Sequence, residues 1–518
     1  MSVKSLIKRS EYYDSVSLML VARELTRLPG VVDAAVVMAT EANKAILRQA
    51  GLLTEEIQAA SPNDLVIAVS ASDEAGGQAL AEAERLLKKK DSAGQELGSG
   101  YARPKSLRSA VRAQPESNLA VISVAGRYAA EEAWDALRLG LHVLLFSDNV
   151  SLEDEIVLKQ YAIQHGLLLM GPGAGTAIIN GVALGFANVV PAGPVGIVSA
   201  AGTGLQEVSS LLAKEGIGIT QGIGTGGRDL KEQVGGLMML AGLRALQEDP
   251  ATQVIILVSK PPAAVVAHKV VDQVARCLKP TVVCLLGGDP QILTAAPNAI
   301  PARTLHEAAW LGTRLARSEA LDRETWIAGL DRVLEIKSYT FPQPKPSQRY
   351  LRGLFSGGTL CYEAQVIWSD LLREPVLSNA PLRKENQLPD STHSQGHTAV
   401  DLGEEEFTIG RPHPMIDNDL RIRRLRQEGR DPEVAAILLD VVLGHGAHPD
   451  PAGELGPVIT HLRQVAREEG RELVMIASVT GTEGDPQGLS RQENALKEAG
   501  AVVCQSNASA ARLAAKIV

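Results

Sequence analysis

Short aliphatic runs alternate with amphipathic stretches along most of the chain, and Gly- or Pro-bearing turns separate them. The beat is clearest from Asn118, where the pattern predicts strand Leu119–Val124, helix Ala129–Leu139, strand His142–Ser147, helix Leu152–His165 and strand Leu167–Met170. Strands that alternate with helices in this way build parallel sheets. The beat continues with strands Val195–Ser199, Gly218–Gly222, Val254–Ser259 and Thr281–Leu286, and again with Arg352–Phe355, Ala435–Val442 and Glu472–Val479. Upstream, the pattern predicts helix Asp14–Leu28, strand Ala34–Met38, helix Glu41–Ala50 and helix Ala75–Lys90. Asp91–Ser106 and the Pro-rich Phe341–Pro346 read as linkers, and the polar stretch Arg383–Val400 as a mobile loop. The expected fold is α/β in four parts: an N-terminal α/β domain at 1–115 and parallel-sheet domains at 116–190, 191–340 and 350–518.

A length of 518 residues exceeds what one core can fill, which agrees with several domains. Aromatic residues make up only 3% of the chain while small and aliphatic residues dominate, the profile of buried parallel strands. The net charge of −9, with acids and bases interspersed, argues against a nucleic-acid partner. The first twenty residues hold no apolar run resembling a signal sequence and no later run is long enough to cross a bilayer, so a cytoplasmic protein with no membrane partner is expected. Cys277, Cys284, Cys361 and Cys504 lack metal-ligand spacing and are expected to be buried free thiols. His393 and His397 are spaced like a helical ligand pair, but their Ser- and Gly-containing surroundings favour a loop, and no metal site is predicted.

One phrase is written twice in the two later domains. Gly196–Glu207 and Gly353–Glu363 both run from a strand through a small-residue turn into Gly-Thr-x-x-x-Glu. Glycines at such a turn let backbone N–H groups converge, and the following helix adds its positive dipole end. Ser199, Gly202, Thr203 and Gly204 in one copy, and Ser356, Gly357, Gly358 and Thr359 in the other, are therefore candidate anion cradles facing a shared crevice. The threonines can also be helix caps. Gly-Arg recurs in Gly226-Gly227-Arg228-Asp229 and in Gly410–Asp417, and Lys260 and Asp440 fall at corresponding strand ends. Arg228 and Arg411 carry the planar donor fork suited to carboxylate or phosphate, the alternative for Arg228 with Asp229 being a surface ion pair that steadies a turn. Gly171-Pro172, just past the Met170 strand, lies where open α/β sheets bind ligands.

These motifs resemble succinyl-CoA synthetase: residues 118 to about 335 are similar to its α subunit, which implies a CoA-binding Rossmann-like domain at 116–190 and a flavodoxin-like ligase domain at 191–340, and residues 350–518 are similar to the related flavodoxin-like ligase domain that ends its β subunit. Over nearly the whole chain, Ser-Val-Ser-Leu-Met near the start, Phe-Ser-Asp-Asn-Val at 146, Gly-Gly-Arg-Asp-Leu at 226, Ser-Lys-Pro-Pro at 259 and Gly-Arg-Pro-His-Pro-Met-Ile-Asp at 410 resemble the FdrA family. The resemblance implies a subunit of an oxamate carbamoyltransferase in allantoin breakdown, converting oxalurate and phosphate to oxamate and carbamoyl phosphate. Three departures bear on the alternatives. The stretch Gly287–Pro297, where succinyl-CoA synthetase carries phosphate on histidine, contains no histidine, and no segment is long enough for an ATP-grasp domain. Gly173 and Ala174 replace the polar residue and Cys that follow Gly-Pro in the α-subunit relatives, which puts CoA binding in question.

Phosphate attack on a ureido carbonyl needs two anions aligned and an oxyanion stabilised, with no covalent carrier. Arg228 and Arg411 would clamp the anions, His413 would polarise the carbonyl or protonate the leaving nitrogen, and Asp229 and Asp417 would orient them. His445 and His448 are second choices. The expected partners are a small anionic substrate (phosphate, carbamoyl phosphate, oxamate or oxalurate) and other protein subunits in an oligomer. No cofactor is required by the residues, and CoA stays open. The alternatives are an acyl-CoA synthetase component without its own ATP-grasp domain, and a non-catalytic CoA- or acyl-binding scaffold.

Overall fold

The computed structural model describes residues 2–9, 11, 13, 15–93, 104, 106–319, 344–408 and 412–518. The chain divides into two compact units, Met1–Pro104 with Glu405–Pro412, and Lys105–Glu404 with His413–Val518.

The first unit is built on a three-stranded antiparallel sheet of β1 (Ser2–Lys8), β2 (Val31–Met38) and β3 (Leu65–Ala71), in the order β1-β3-β2. Its helices are α1 (Ser15–Thr26), α2 (Glu41–Gln49), α3 (Glu55–Ala59) and α4 (Asp73–Ala93). Alternate residues of β3 feed different cores: Leu65, Ile67 and Val69 join Leu18, Leu25, Ala79 and Leu87, while Val66 and Ala68 join Leu47, Leu52 and Ile57. The sequence pattern missed β1 and β3. Leu65–Ala71 is buried on both faces, so it shows no polar alternation to mark it.

The second unit holds three parallel or mostly parallel sheets. The smallest consists of β4 (Leu119–Ile122), β5 (His142–Leu145) and β6 (Leu169–Met170), with α5 (Leu107–Ala113), α6 (Gly126–Arg138) and α7 (Leu152–Gln164). The next has the order β13-β12-β11-β9-β10-β7-β8. Its strands are β7 (Thr176–Ile179), β8 (Val182–Gly185), β9 (Ala192–Ser199), β10 (Ile219–Gly224), β11 (Val254–Ser259), β12 (Thr281–Leu285) and β13 (Ala299–Ala302). Helices α8 (Gly202–Lys214), α9 (Leu237–Glu248), α10 (Ala264–Ala275) and α11 (Leu305–Ala316) cover it. The expected boundary at residue 190 therefore moves: β7 pairs with β10, so residues 176–185 belong to the larger sheet.

The last sheet has the order β15-β16-β14-β17-β18-β19, all parallel. Its strands are β14 (Tyr350–Phe355), β15 (Val376–Ser378), β16 (His397–Asp401), β17 (Val434–Val442), β18 (Val474–Thr480) and β19 (Val502–Cys504). The helices are α12 (Gly358–Leu371), α14 (Asp419–Arg430), α15 (Pro451–Glu468), α16 (Leu489–Glu498) and α17 (Asn507–Ala515), while the short α13 (Glu405–Thr408) falls in the first unit. The stretch expected to be a mobile loop ends in β16, an interior strand with every residue buried. Register also corrects the match between Lys260 and Asp440. Gly196 pairs with Ile255 and Gly353 with Leu438, so Asp440 corresponds to Leu257.

The two large sheets share one core, in which Leu205, Leu305, Leu360, Trp368 and Leu513 are buried together. The repeated Glu is the reciprocal fastener. Glu207 at the first copy accepts the Asn507 N–H that opens α17 of the second sheet, at 3.0 Å. Glu363 at the second copy accepts the Leu305 N–H that opens α11 of the first sheet, at 2.7 Å, and Asn507 Nδ2–H at 2.8 Å. Each repeat thus supplies an acceptor for an orphan helix donor of the other.

Candidate functional site

The twin turns meet, but in direct contact. A Cβ at Gly357 would lie 2.9 Å from Thr203 Oγ1, and one at Gly204 would lie 3.1 Å from Thr359 Cγ2. Glycine at these positions lets the starts of α8 and α12 pack against each other, which leaves no open crevice at the point of contact. Thr203 and Thr359 are not the caps of their helices. Ala201 and Gly357 take those positions, and neither makes a side-chain capping bond.

The two cradles differ in their partners. Ser199 is buried and its hydroxyl donates to Ala201 O at 2.7 Å and accepts Ala201 N–H at 3.1 Å, closing its own turn. In the second copy the Asp440 carboxylate accepts the Ser356 and Gly357 N–H groups, each at 2.7 Å, and the Ser356 hydroxyl lies 3.1 Å from both its oxygens. Arg421 stands on the other side of Asp440, Nη2 to Oδ1 3.2 Å, and also donates to Asp440 O. All of these groups are buried. Burial raises the Asp440 carboxyl against the pull of Arg421 and the two amides, and burial lowers the Arg421 guanidinium.

Around this contact the fold gathers three groups with chemical potential. Asp401, the last residue of β16, is 3% exposed, and its Oδ1 accepts the Gly403 N–H at 2.9 Å. Its Oδ2 lies so near the start of α12 that a Cβ at Gly358 would overlap it. Burial pushes this carboxyl up to about 7, Lys260 opposes the rise, and Glu404 and Asp440 add to it. Lys260 follows β11, with Nζ 5.3 Å from the centre of the Tyr362 ring.

His413 faces the same place: a Cβ at Gly403 would lie 2.7 Å from His413 Nε2 and 3.2 Å from Asp401 Oδ1. Its Nδ1 accepts Met415 N–H at 3.2 Å, which puts the ring proton on Nε2. Burial, then Arg421, lower its pKa to about 4, so the ring is neutral near pH 7 and can polarise a carbonyl through Nε2–H but does not offer an imidazolium proton. A row of rings leads away from it, Phe186 at 5.9 Å and then Phe146 at 5.6 Å, the latter just past β5 of the smallest sheet.

Other expected site residues do different work. Arg228 Nε pairs with Glu155 at 2.8 Å and its Nη2–H donates to Val150 O at 2.9 Å. Asp229 is fully buried, receives Lys159 Nζ at 2.8 Å and accepts the Met238 and Met239 N–H groups that open α9. Arg228 and Asp229 thus do not pair with each other at the surface; through Glu155 and Lys159 they tie their turn to α7 and α9 from within. Arg411, with Gly410, lies outside the described residues. Asp417 accepts Asp419 N–H at 2.8 Å at the start of α14 and does not orient the His413 ring. Gly171 and Pro172 are buried, packed on Leu145 O and under Gly226, while Gly173 beside Asp148 is exposed.

His448 Nε2 pairs with Glu454 at 3.2 Å, and His445 is exposed. His397 is a buried β16 residue accepting Leu351 N–H at 3.2 Å, and His393 pairs with Asp390 at 2.8 Å on the surface. The four cysteines are buried and free. Burial raises each thiol, to about 12 at Cys504. Among the described residues no helix is long and apolar enough to cross a membrane. Asp401 was missed because its strand was read as a loop; an aspartate ending a run as apolar as Thr-Ala-Val was the available signal.

Parallel sheets joined through paired Gly-Thr turns define an α/β protein of the CoA-ligase type, and residues 354–517 match the CoA-ligase family. The chain belongs to the family of the Escherichia coli (strain K12) protein YahF, with 45% identity over 522 positions covering 100% of this chain and 99% of that one. It is also similar to the succinate–CoA ligase [ADP-forming] α subunit of Methanothermobacter thermautotrophicus, 26% identical over 29% of this chain and 51% of that protein. The dinucleotide-forming acetyl-coenzyme A synthetase 1 of Ca. Korarchaeum cryptofilum aligns over 77% of this chain and 82% of its own at 15% identity, with a TM-score of 0.32. Residues 1–104 match the family described as AllF, heavy metal-associated domain. They contain neither Cys nor His, so they offer a soft metal neither thiolate nor imidazole, and no cluster of three or more His, Cys, Asp or Glu able to hold a metal occurs among the described residues.

Proposed function

We propose that the chain is a subunit of a group-transfer enzyme of the CoA-ligase class that moves a carbamoyl group onto phosphate: oxalurate and phosphate give oxamate and carbamoyl phosphate. The observation that carries this reading is the meeting of Asp401, Lys260 and His413 beside the paired starts of α8 and α12, in a chain whose Gly287–Pro297 loop has no histidine to carry phosphate. Phosphate sits at the start of α8 beside Gly202, which is half-buried and clear of the contact between Thr203 and Gly357, and backbone amides and the helix dipole favour a negative charge there. One phosphate oxygen attacks the ureido carbonyl carbon, the bond from that carbon to the oxamate nitrogen breaks, and the proton of hydrogen phosphate ends on that nitrogen. Asp401 relays the proton, His413 Nε2–H donates to the carbonyl oxygen as it becomes an oxyanion, and Lys260 offsets the charge of the two anions. Other subunits complete the enzyme.

The test is phosphorus NMR of the full chain with its native partners, oxalurate and phosphate. The carbamoyl phosphate signal appears with the natural protein and is lost in Asp401→Asn; a variant that keeps the signal refutes the role of Asp401. The match of residues 354–517 to the CoA-ligase family favours a second reading, an acid–thiol ligase component that borrows its nucleotide-binding domain. Calorimetric titration separates the two: tight CoA binding with no response to carbamoyl phosphate selects the ligase.

A further inference from the structure

The register that pairs Asp440 with Leu257 has a chemical meaning. At the position beside the first turn the chain places an aliphatic side chain, and beside the second a carboxylate that already holds two turn amides and a hydroxyl and is backed by Arg421. We infer that Asp440 is the permanent anion of the second turn, so that the chain offers one turn, not two, to an anion from solution. A resident carboxylate needs no binding entropy, and in a buried setting the Arg421 charge compensates it. Taking it away exposes two inward-facing N–H groups with nothing to accept them. The placing of the external anion at the first turn rests on the reading proposed above; the role of Asp440 stands on its own hydrogen bonds.

Asp440→Ala removes the carboxylate and leaves the methylene, so formate is the missing fragment. In chloride buffer this variant is expected to melt below the natural protein, and millimolar formate is expected to restore part of the loss while leaving the natural protein unmoved. A variant as stable as the natural protein, or one indifferent to formate, overturns the inference. Should Asp440→Ala fail to fold, crystals of the natural protein grown with selenate decide the matter. Anomalous signal at the Ser356 and Gly357 amides, with Asp440 turned away, overturns it, and a second turn without selenate supports it. Selenate absent from both turns removes the phosphate-binding reading and leaves the resident role of Asp440 intact.

Discussion

Replacing Glu363 by Gln tests the reciprocal fastening of the two repeats. Glu363 is buried between α11 and α17, and burial pushes its carboxyl up to about 8 even though Asn507 Nδ2–H and Leu305 N–H pull the other way. A carboxyl that is raised on folding binds more protons folded than unfolded, so its contribution is fully present below the unfolded value near 4.5 and is lost as pH climbs through the folded one. Between pH 6 and pH 8 the loss amounts to about 2 kcal/mol. Glutamine carries no titrating proton, so the natural protein should lose about 2 kcal/mol more than Glu363→Gln over that interval. Asp401 titrates in the same window but is common to both proteins and cancels in the difference. The assay is the thermal midpoint of each protein at pH 6 and pH 8 in matched ionic strength. Parallel changes in the two proteins would show that Glu363 does not titrate in this interval and that the energetic reasoning fails.

Three further outcomes follow from the same contacts. With Asp401 as the proton relay, kcat/KM for carbamoyl phosphate formation should rise with pH through about 7, and a flat profile across that range would exclude it as the base. Gly357→Ala puts a methyl 2.9 Å from Thr203 Oγ1 and should cost about 1–3 kcal/mol by denaturant titration, with part of the loss recovered in the double variant with Thr203→Ala; equal stability of the single variant would contradict the tight contact. Lys159→Met strands Glu155 and Asp229 without their shared buried ammonium and should destabilise the second unit by about 3–5 kcal/mol, read as a fall in denaturation midpoint. A change under 1 kcal/mol would mean that the network relaxes into water.

Most of the second unit was legible in the residues because parallel strands are long aliphatic runs, and Val195–Ser199, Val254–Ser259 and Ala435–Val442 declared themselves that way. β16 did not, since five residues opening with His and closing with Asp look polar until burial shows that His397 and Asp401 are interior. The paired turns were legible as a repeat, but their contact was not: whether two glycine turns leave a gap or touch depends on how two sheets pack, which local pattern does not encode. Arg228 and Asp229 illustrate the same limit. Their motif reads as an anion clamp or as a surface ion pair, and Glu155 and Lys159, some seventy positions earlier, make it a buried tie instead. Asp440 lay in plain view within an otherwise aliphatic strand, and that incongruity was the clue to a buried charge with a fixed partner.

The crossed bonds of Glu207 and Glu363 set how the pairing of the two repeats depends on protein concentration. Both partners of each bond lie on one chain, so their encounter is unimolecular and dilution does not dissolve it, whereas the same surfaces on separate polypeptides would part as they were thinned out. A single cut in the chain between the repeats would hand that equilibrium back to mass action.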